Sequence, residues 1–161
     1  MSIIIKTLKN SDSKDIIDII LPIQQLEFGV PITLADQPDL LDIENFYILK
    51  GGNFWGANVE GTLCGTIALL RFNNKAAAIR KMFVKKEFRG KEYGIASSLL
   101  AELIRYCKEN GIENLYLGTV DILKAAIRFY EKKGFVQLDK KEMPFDFPFM
   151  TPDNIFCHLA L

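Results

Sequence analysis

One histidine and three cysteines are all that this chain offers a metal ion or a disulfide. Cys64, Cys107 and Cys157 are odd in number, far apart and form no CxxC, so they read as reduced core thiols. His158 alone cannot build a Cys/His cluster, and no metal site is expected. No apolar run approaches the roughly 20 residues that a membrane span needs. Lys6 and Lys9 interrupt the N-terminal MSIIIKTLKNSDSKD, which excludes a secretory core segment. The expectation is a cytoplasmic protein with no membrane partner. Charge of one sign is also missing. Twenty basic residues balance twenty acidic ones, so no nucleic-acid partner is expected. No repeat, low-complexity tract or linker interrupts the 161 residues. That length, with 49% hydrophobic and 25% charged residues, predicts one ordered domain over 1–161 with a core of its own.

The elements alternate. Ile3–Leu8 begins with β-branched residues and predicts a strand. Ser11 or Ser13 can cap a following helix whose apolar residues run from Ile16 to Leu26 at helical spacing, with Pro22 expected to bend or break it. Gly29–Leu49 is irregular, with a short helix expected over Leu40–Ile48. Phe54–Val59, Thr62–Phe72 and Ala76–Val84 are strand-like. Glu60-Gly61 and Asn73-Asn74 separate them as turns, predicting a three-strand antiparallel meander. Ile95–Asn110 carries one apolar side and stops at Gly111, which predicts a helix. Leu115–Thr119, Lys124–Lys133, Phe135–Leu138 and Ile155–Leu161 complete the order as strand, helix, strand, strand.

Ile79–Leu100, IRKMFVKKEFRGKEYGIASSLL, is the most informative stretch. A strand ends at Val84, a basic turn holds Gly90 and Gly94, and a helix starts near Ile95. Glycines let backbone N–H groups converge on a ligand, and the helix N-terminus adds unpaired donors and partial positive charge. From Lys75 to Lys91 there are seven basic residues (Lys75, Arg80, Lys81, Lys85, Lys86, Arg89 and Lys91) against one acid, Glu87, in a chain that is neutral overall. Charge focused in this way suits a polyphosphate. A solvated lysine-rich loop with a capping glycine fits the spacing as well. No GxxxxGK[ST] string occurs, which excludes a P-loop, and a turn that follows an antiparallel meander is wrong for a dinucleotide fold.

FRGKEYGIASSLL resembles the [QR]-x-x-G-x-[GA] loop of the GNAT superfamily, the acyl-CoA-dependent N-acyltransferases. Two registers fit. Counting back from Leu99-Leu100 puts Lys91, Gly94 and Ala96 on the defining positions. Counting forward from Arg89-Gly90 keeps the arginine but places Glu92 on the first glycine. Ala125–Phe135, AAIRFYEKKGF, resembles the family's A-x-x-x-[LF]-Y-x-x-x-G-F segment, with Leu123 where an asparagine often stands seven residues before the tyrosine. The resemblance implies an α+β (mixed α/β) fold. It comprises a central mixed, mostly antiparallel sheet of about 6–7 strands flanked by about four helices. It implies acetyl-CoA as co-substrate, with no metal.

By the same resemblance, the backbone of Met82, Phe83 and Val84 would pair with the pantetheine arm. The turn Arg89, Gly90, Lys91, Glu92, Tyr93, Gly94, Ile95 and Ala96 would hold the pyrophosphate. Tyr130 would donate the proton to the departing thiolate; an unperturbed tyrosine, near pKa 10, is protonated at neutral pH. From spacing alone Tyr130 is equally a core aromatic beside Phe129. Some relatives carry a basic carboxylate on the strand that ends here at Val84, but AAAIRKMFV has none. Glu27, Asp36 and Asp39 are the candidates that remain for the base or the substrate wall, with surface charge as their plainer role. Gly29–Leu49 contains Asp36, Asp39, Asp42 and Glu44 and no base, and falls where relatives build that wall. This suits a cationic acceptor: a small-molecule amine, a Lys side chain or an N-terminal amine. Phe145, Phe147 and Phe149 with Pro144 and Pro148 form either an apolar lip or a loop packed on the sheet. A homodimer is compatible with the sequence. The competing function is an acyl-CoA-binding module without transfer. A third reading, RNA binding through Lys75–Lys91 with Phe83, Phe88 and Tyr93, is opposed by the neutral total charge.

Overall fold

The structure is a computed structural model that describes residues 2–161. Seven strands form one sheet in the order β1-β2-β3-β4-β5-β7-β6. They are β1 (Ile3–Thr7), β2 (Asn53–Val59), β3 (Thr62–Arg71), β4 (Ala76–Val84), β5 (Asn114–Thr119), β6 (Val136–Leu138) and β7 (Ile155–Ala160). Three α-helices flank it: α1 (Ser13–Pro22), α2 (Ile95–Glu109) and α3 (Lys124–Lys132). A short helical segment over Glu44–Ile48 is the fourth.

The expected meander is present, since β1 to β4 pair antiparallel in sequence order. Alternation along these strands feeds two layers, because successive side chains of a strand leave on opposite faces. Phe54 and Ala68 pack with Ile16, Ile20, Ile43 and Tyr47 on the α1 side. Trp55, Ile67 and Leu69 pack with Leu99, Leu103 and Cys107 of α2 on the other. The three cysteines are buried and free, as expected, and burial pushes the Cys107 thiol up to about 12 and Cys157 up to about 11.

Two local expectations change. Neither Ser11 nor Ser13 caps α1. Asp12 occupies the cap without a side-chain bond, and Ser13 Oγ is buried without a partner. A 3-10 turn over Asn10–Asp12 already leads into the helix and satisfies its first backbone donors. Pro22 ends the α-helix, which widens into a π-turn over Ile23–Glu27, because proline supplies no N–H to continue the ladder. The helix expected at Leu40–Ile48 divides into a 3-10 turn, Pro38–Leu41, and the segment at Glu44–Ile48.

One parallel pairing positions the site. β4 and β5 pair only at Ala76–Ala78 with Asn114–Tyr116. β4 then runs on to Val84 along β3, while β5 runs on to Thr119 along β7. The sheet therefore opens between them, and the β4 edge beyond Ala78 has no strand beside it.

Candidate active site

The opening holds a cavity of about 160 Å³. Its walls include Arg80, Lys81, Met82 and Phe83 of β4, Leu117 and Gly118 of β5, Tyr130 of α3, and Asp153. Tyr130 is 5% exposed, with its ring edge-on to Phe129 and Phe135. Burial pushes its hydroxyl well above the usual tyrosine range, with Cys157 adding to the rise, so the group keeps its proton at neutral pH. It belongs to the core and to the cavity wall at once.

β4 leads from this cavity directly into the glycine turn. A 3-10 turn spans Lys86–Phe88, and Gly94, at φ +61, is the residue before α2. A side chain there would be strained in the left-handed region. The first intrahelical bond is Ser98 N–H to the Gly94 carbonyl at 3.0 Å. The N–H groups of Ile95, Ala96 and Ser97 are thus the first-turn donors that an α-helix leaves unused. Phe88 and Tyr93 pack edge-on beneath the turn. Arg89 is anchored inward. Its Nε–H donates to the Val84 carbonyl at 2.8 Å, and its guanidinium grips both Glu27 oxygens at 2.6 and 2.8 Å. Gly90, Lys91 and Glu92 are exposed.

The seven basic residues do not form one patch. A strand rises about 3.3 Å per residue, so β4 spreads them out. Lys75 is paired with Glu113 at the far end, Arg80 and Lys81 line the cavity, and Lys85, Lys86, Arg89 and Lys91 remain by the turn.

None of the acidic candidates lines the cavity, although Asp39 lies directly behind its Lys81 wall. Glu27 is bound to Arg89, which holds its carboxyl below the usual carboxylate range. Asp36 is exposed and accepts from Thr33 N–H and Oγ–H at 3.0 Å each. Asp39 is buried, accepts from Tyr47 O–H at 2.6 Å and faces the Lys81 ammonium at 3.7 Å. Asp42 is bound by Asn10 and Asn45, and Glu44 accepts the Asn10 N–H. The aromatic loop divides. Phe147 is buried and lines the cavity, Phe149 is partly covered, and Phe145 is 98% exposed. His158 stacks on Tyr116 with its Nε2 2.8 Å from Asn114 Oδ1, in a structural setting.

Sequence reasoning missed Asp153. It sits between Pro152 and Asn154 in the connection to β7, where nothing in the spacing singles it out. Its carboxyl packs against Gly118. A Cβ built there would lie 2.6 Å from Asp153 Oδ2, so β5 needs glycine at that point for the carboxylate to reach the cavity. Burial raises its pKa to about 6, against the pull of Arg80 and Lys81. A carboxyl poised there can accept a proton near neutral pH.

Residues 17–135 match the acetyltransferase (GNAT) family, and the chain belongs to that family. It is similar to N-acetylaspartate synthetase of Danio rerio, at 34% identity over 115 residues, which take in 70% of this chain and 40% of that protein. The acetyltransferase of GNAT family from Staphylococcus aureus Mu50 shares the structure at a TM-score of 0.94 and 39% identity, over 99% of both chains. The PaiA N-acetyltransferase of Thermoplasma acidophilum, solved in complex with coenzyme A, shares the fold at a TM-score of 0.77 and 22% identity, over 100% of both chains. The chain spans about 40% of the length of the N-acetylaspartate synthetases that it matches. Among the described residues no helix is long and apolar enough to cross a membrane, and no cluster of three metal-ligating side chains is present.

Proposed function

We propose that the chain is an N-acetyltransferase that moves an acetyl group from acetyl-CoA to a primary amine by direct transfer. The observation that carries this reading is the opening between β4 and β5. It brings together a free strand edge, a half-open cavity and a helix start with unused N–H donors. The pantetheine arm lies along Met82, Phe83 and Val84 as an added strand. The pyrophosphate rests on the turn from Arg89 to Ala96, where Ile95 and Ala96 offer unused N–H donors. The coenzyme A bound by the Thermoplasma neighbour supports the choice of ligand.

In the cavity the amine nitrogen attacks the thioester carbonyl carbon. The C–S bond breaks as the C–N bond forms. Asp153 takes the proton from the amine, and Tyr130 gives its proton to the leaving thiolate. The two groups suit opposite duties. Burial keeps Tyr130 protonated, whereas Asp153, raised only to about 6, is mostly ionised at neutral pH.

The test is thiol release from acetyl-CoA across amine classes, with Tyr130→Phe beside the wild type. Release with at least one class is expected. Tyr130→Phe should lower turnover by roughly 10²–10⁴, the usual worth of a placed acid. Acetyl-CoA affinity should change by no more than about 1 kcal/mol. Turnover within threefold of wild type removes Tyr130 as the acid. Binding of acetyl-CoA without release, whatever the amine, would instead identify a sensor module.

A further inference from the structure

We infer that the acceptor is a free amino acid, its carboxylate seated on Arg80 and its amine turned toward Asp153. This rests on the transfer reading above and adds the chemistry of the second substrate.

The first observation is a distortion of β4. Between the pairs Thr66–Phe83 and Ala68–Arg80, β3 has one residue and β4 has two, Lys81 and Met82. In a regular strand, neighbours point to opposite faces. Arg80 and Lys81, at this bulge, both line the cavity along with their neighbours Ile79, Met82 and Phe83. Lys81 is a non-glycine residue at φ +53, in the left-handed region that side chains rarely adopt. Thr66, fully buried, holds it there by donating its hydroxyl to the Lys81 carbonyl at 2.7 Å. Strain that is maintained in a cavity wall points to a side chain that has to be aimed.

The second observation is a charge imbalance. The Lys81 side chain is 7% exposed and already answered: Asp39 lies 3.7 Å from the ammonium, and the Gln37 side chain accepts from it. Arg80 makes no ion pair among the described residues. It places one Nη2–H on the Pro148 carbonyl at 3.0 Å and also approaches the Tyr47 hydroxyl, leaving part of its donor set for a ligand. Asp153 is likewise unpaired. One cavity therefore contains a cation and a carboxylate that feel each other's charge yet form no direct ion pair among the described residues. Partly buried charges without partners are costly, and a ligand of opposite polarity at each end relieves both. A zwitterion with an adjacent amine and carboxylate has that polarity.

This replaces the cationic acceptor suggested by the acidic stretch Gly29–Leu49. Asp36, Asp39, Asp42 and Glu44 are engaged by Thr33, Tyr47, Asn45 and Asn10. A polyamine would find Arg80 and Lys81 facing it, and a peptide lysine would bring no carboxylate to them.

The experiment follows thiol release from acetyl-CoA with each of the twenty amino acids and with each matching α-carboxamide. At least one amino acid should exceed its carboxamide in kcat/KM by about 10²-fold or more, since a site built for a polar group rejects the analogue that lacks it. The carboxamide amine is less basic and more fully deprotonated at neutral pH, so intrinsic reactivity opposes that order. Arg80→Gln should bring the ratio within a few fold, mainly through KM for the amino acid, and Arg80→Lys should retain part of it. Carboxamides, spermidine or a peptide lysine turned over as fast as any amino acid would overturn the acceptor assignment and leave the transfer reading standing. No thiol release with any amine would overturn both. The wild-type ratio decides the question even where an Arg80 variant fails to fold.

Discussion

The two ends of the β4–β5 cleft are built from different materials. The cofactor end is made of backbone: the free edge of β4, the turn through Gly90 and Gly94, and the first N–H groups of α2. The acceptor end is made of side chains from separate elements, with Arg80 and Lys81 on β4, Tyr130 on α3 and Asp153 before β7. A backbone site depends on what its residues permit in φ and ψ and is indifferent to most side chains. A side-chain site is the reverse. On the proposed reading, Lys91 and Glu92 can stand in the turn without changing what it would bind, whereas a substitution at Asp153 or Arg80 would change the chemistry.

That contrast can be broken in graded ways. The largest effect is expected at the acceptor end. Asp153→Asn should lower turnover by about 10²-fold or more, as loss of a placed base does. Wild-type kcat/KM should rise with pH through about 6 as Asp153 loses its proton, and the variant should lack that limb. Arg80 and Lys81 face this carboxyl and burial outweighs them. Its folded pKa therefore lies above the unfolded value, near 3.9. The stability it contributes is complete below that value and is lost as pH rises through about 6. The melting temperature of Asp153→Asn should gain on wild type between pH 4 and pH 8.

Next comes the backbone end. Gly94→Val puts a β-branched residue at φ +61. Acetyl-CoA affinity should fall at least tenfold in calorimetry, with an unchanged circular dichroism spectrum. Unchanged affinity would show that the turn is not the phosphate site. A smaller effect separates the parts of the ligand. At 100 times its dissociation constant acetyl-CoA should stabilise the fold by about 2.7 kcal/mol, and pantetheine at the same concentration by clearly less. Equal thermal shifts would remove the pyrophosphate contact. The smallest effect is expected for Lys91→Ala. Its side chain is exposed, and such charges contribute roughly 0–1 kcal/mol. A loss of acetyl-CoA affinity beyond tenfold would mean that side chains, not backbone, hold the phosphates.

The same contrast explains what could be read before the fold was known. The cofactor end is contiguous in sequence, so Ile79–Leu100 carried its strand, glycines and helix start in one string, and AAIRFYEKKGF carried Tyr130. The acceptor end is assembled by topology. Asp153 shares a cavity with Tyr130 only because β7 inserts between β5 and β6, and because Gly118 leaves room for its carboxyl. Arg80 and Lys81 were visible as charge, but not the bulge at which they line the cavity. The acidic stretch drew attention by composition, which does not reveal that Tyr47, Thr33 and Asn10 engage its carboxylates.

The position of acetyl-CoA in a crystal of the chain grown with it decides whether the β4–β5 opening is the transfer site. The pantetheine is expected to be hydrogen-bonded along β4 beyond Ala78, the pyrophosphate on the N–H groups of Ile95 and Ala96, and the sulfur within hydrogen-bond reach of the Tyr130 hydroxyl. A thioester lying outside the β4–β5 opening, or phosphates held away from the Gly90–Gly94 turn, would contradict that assignment.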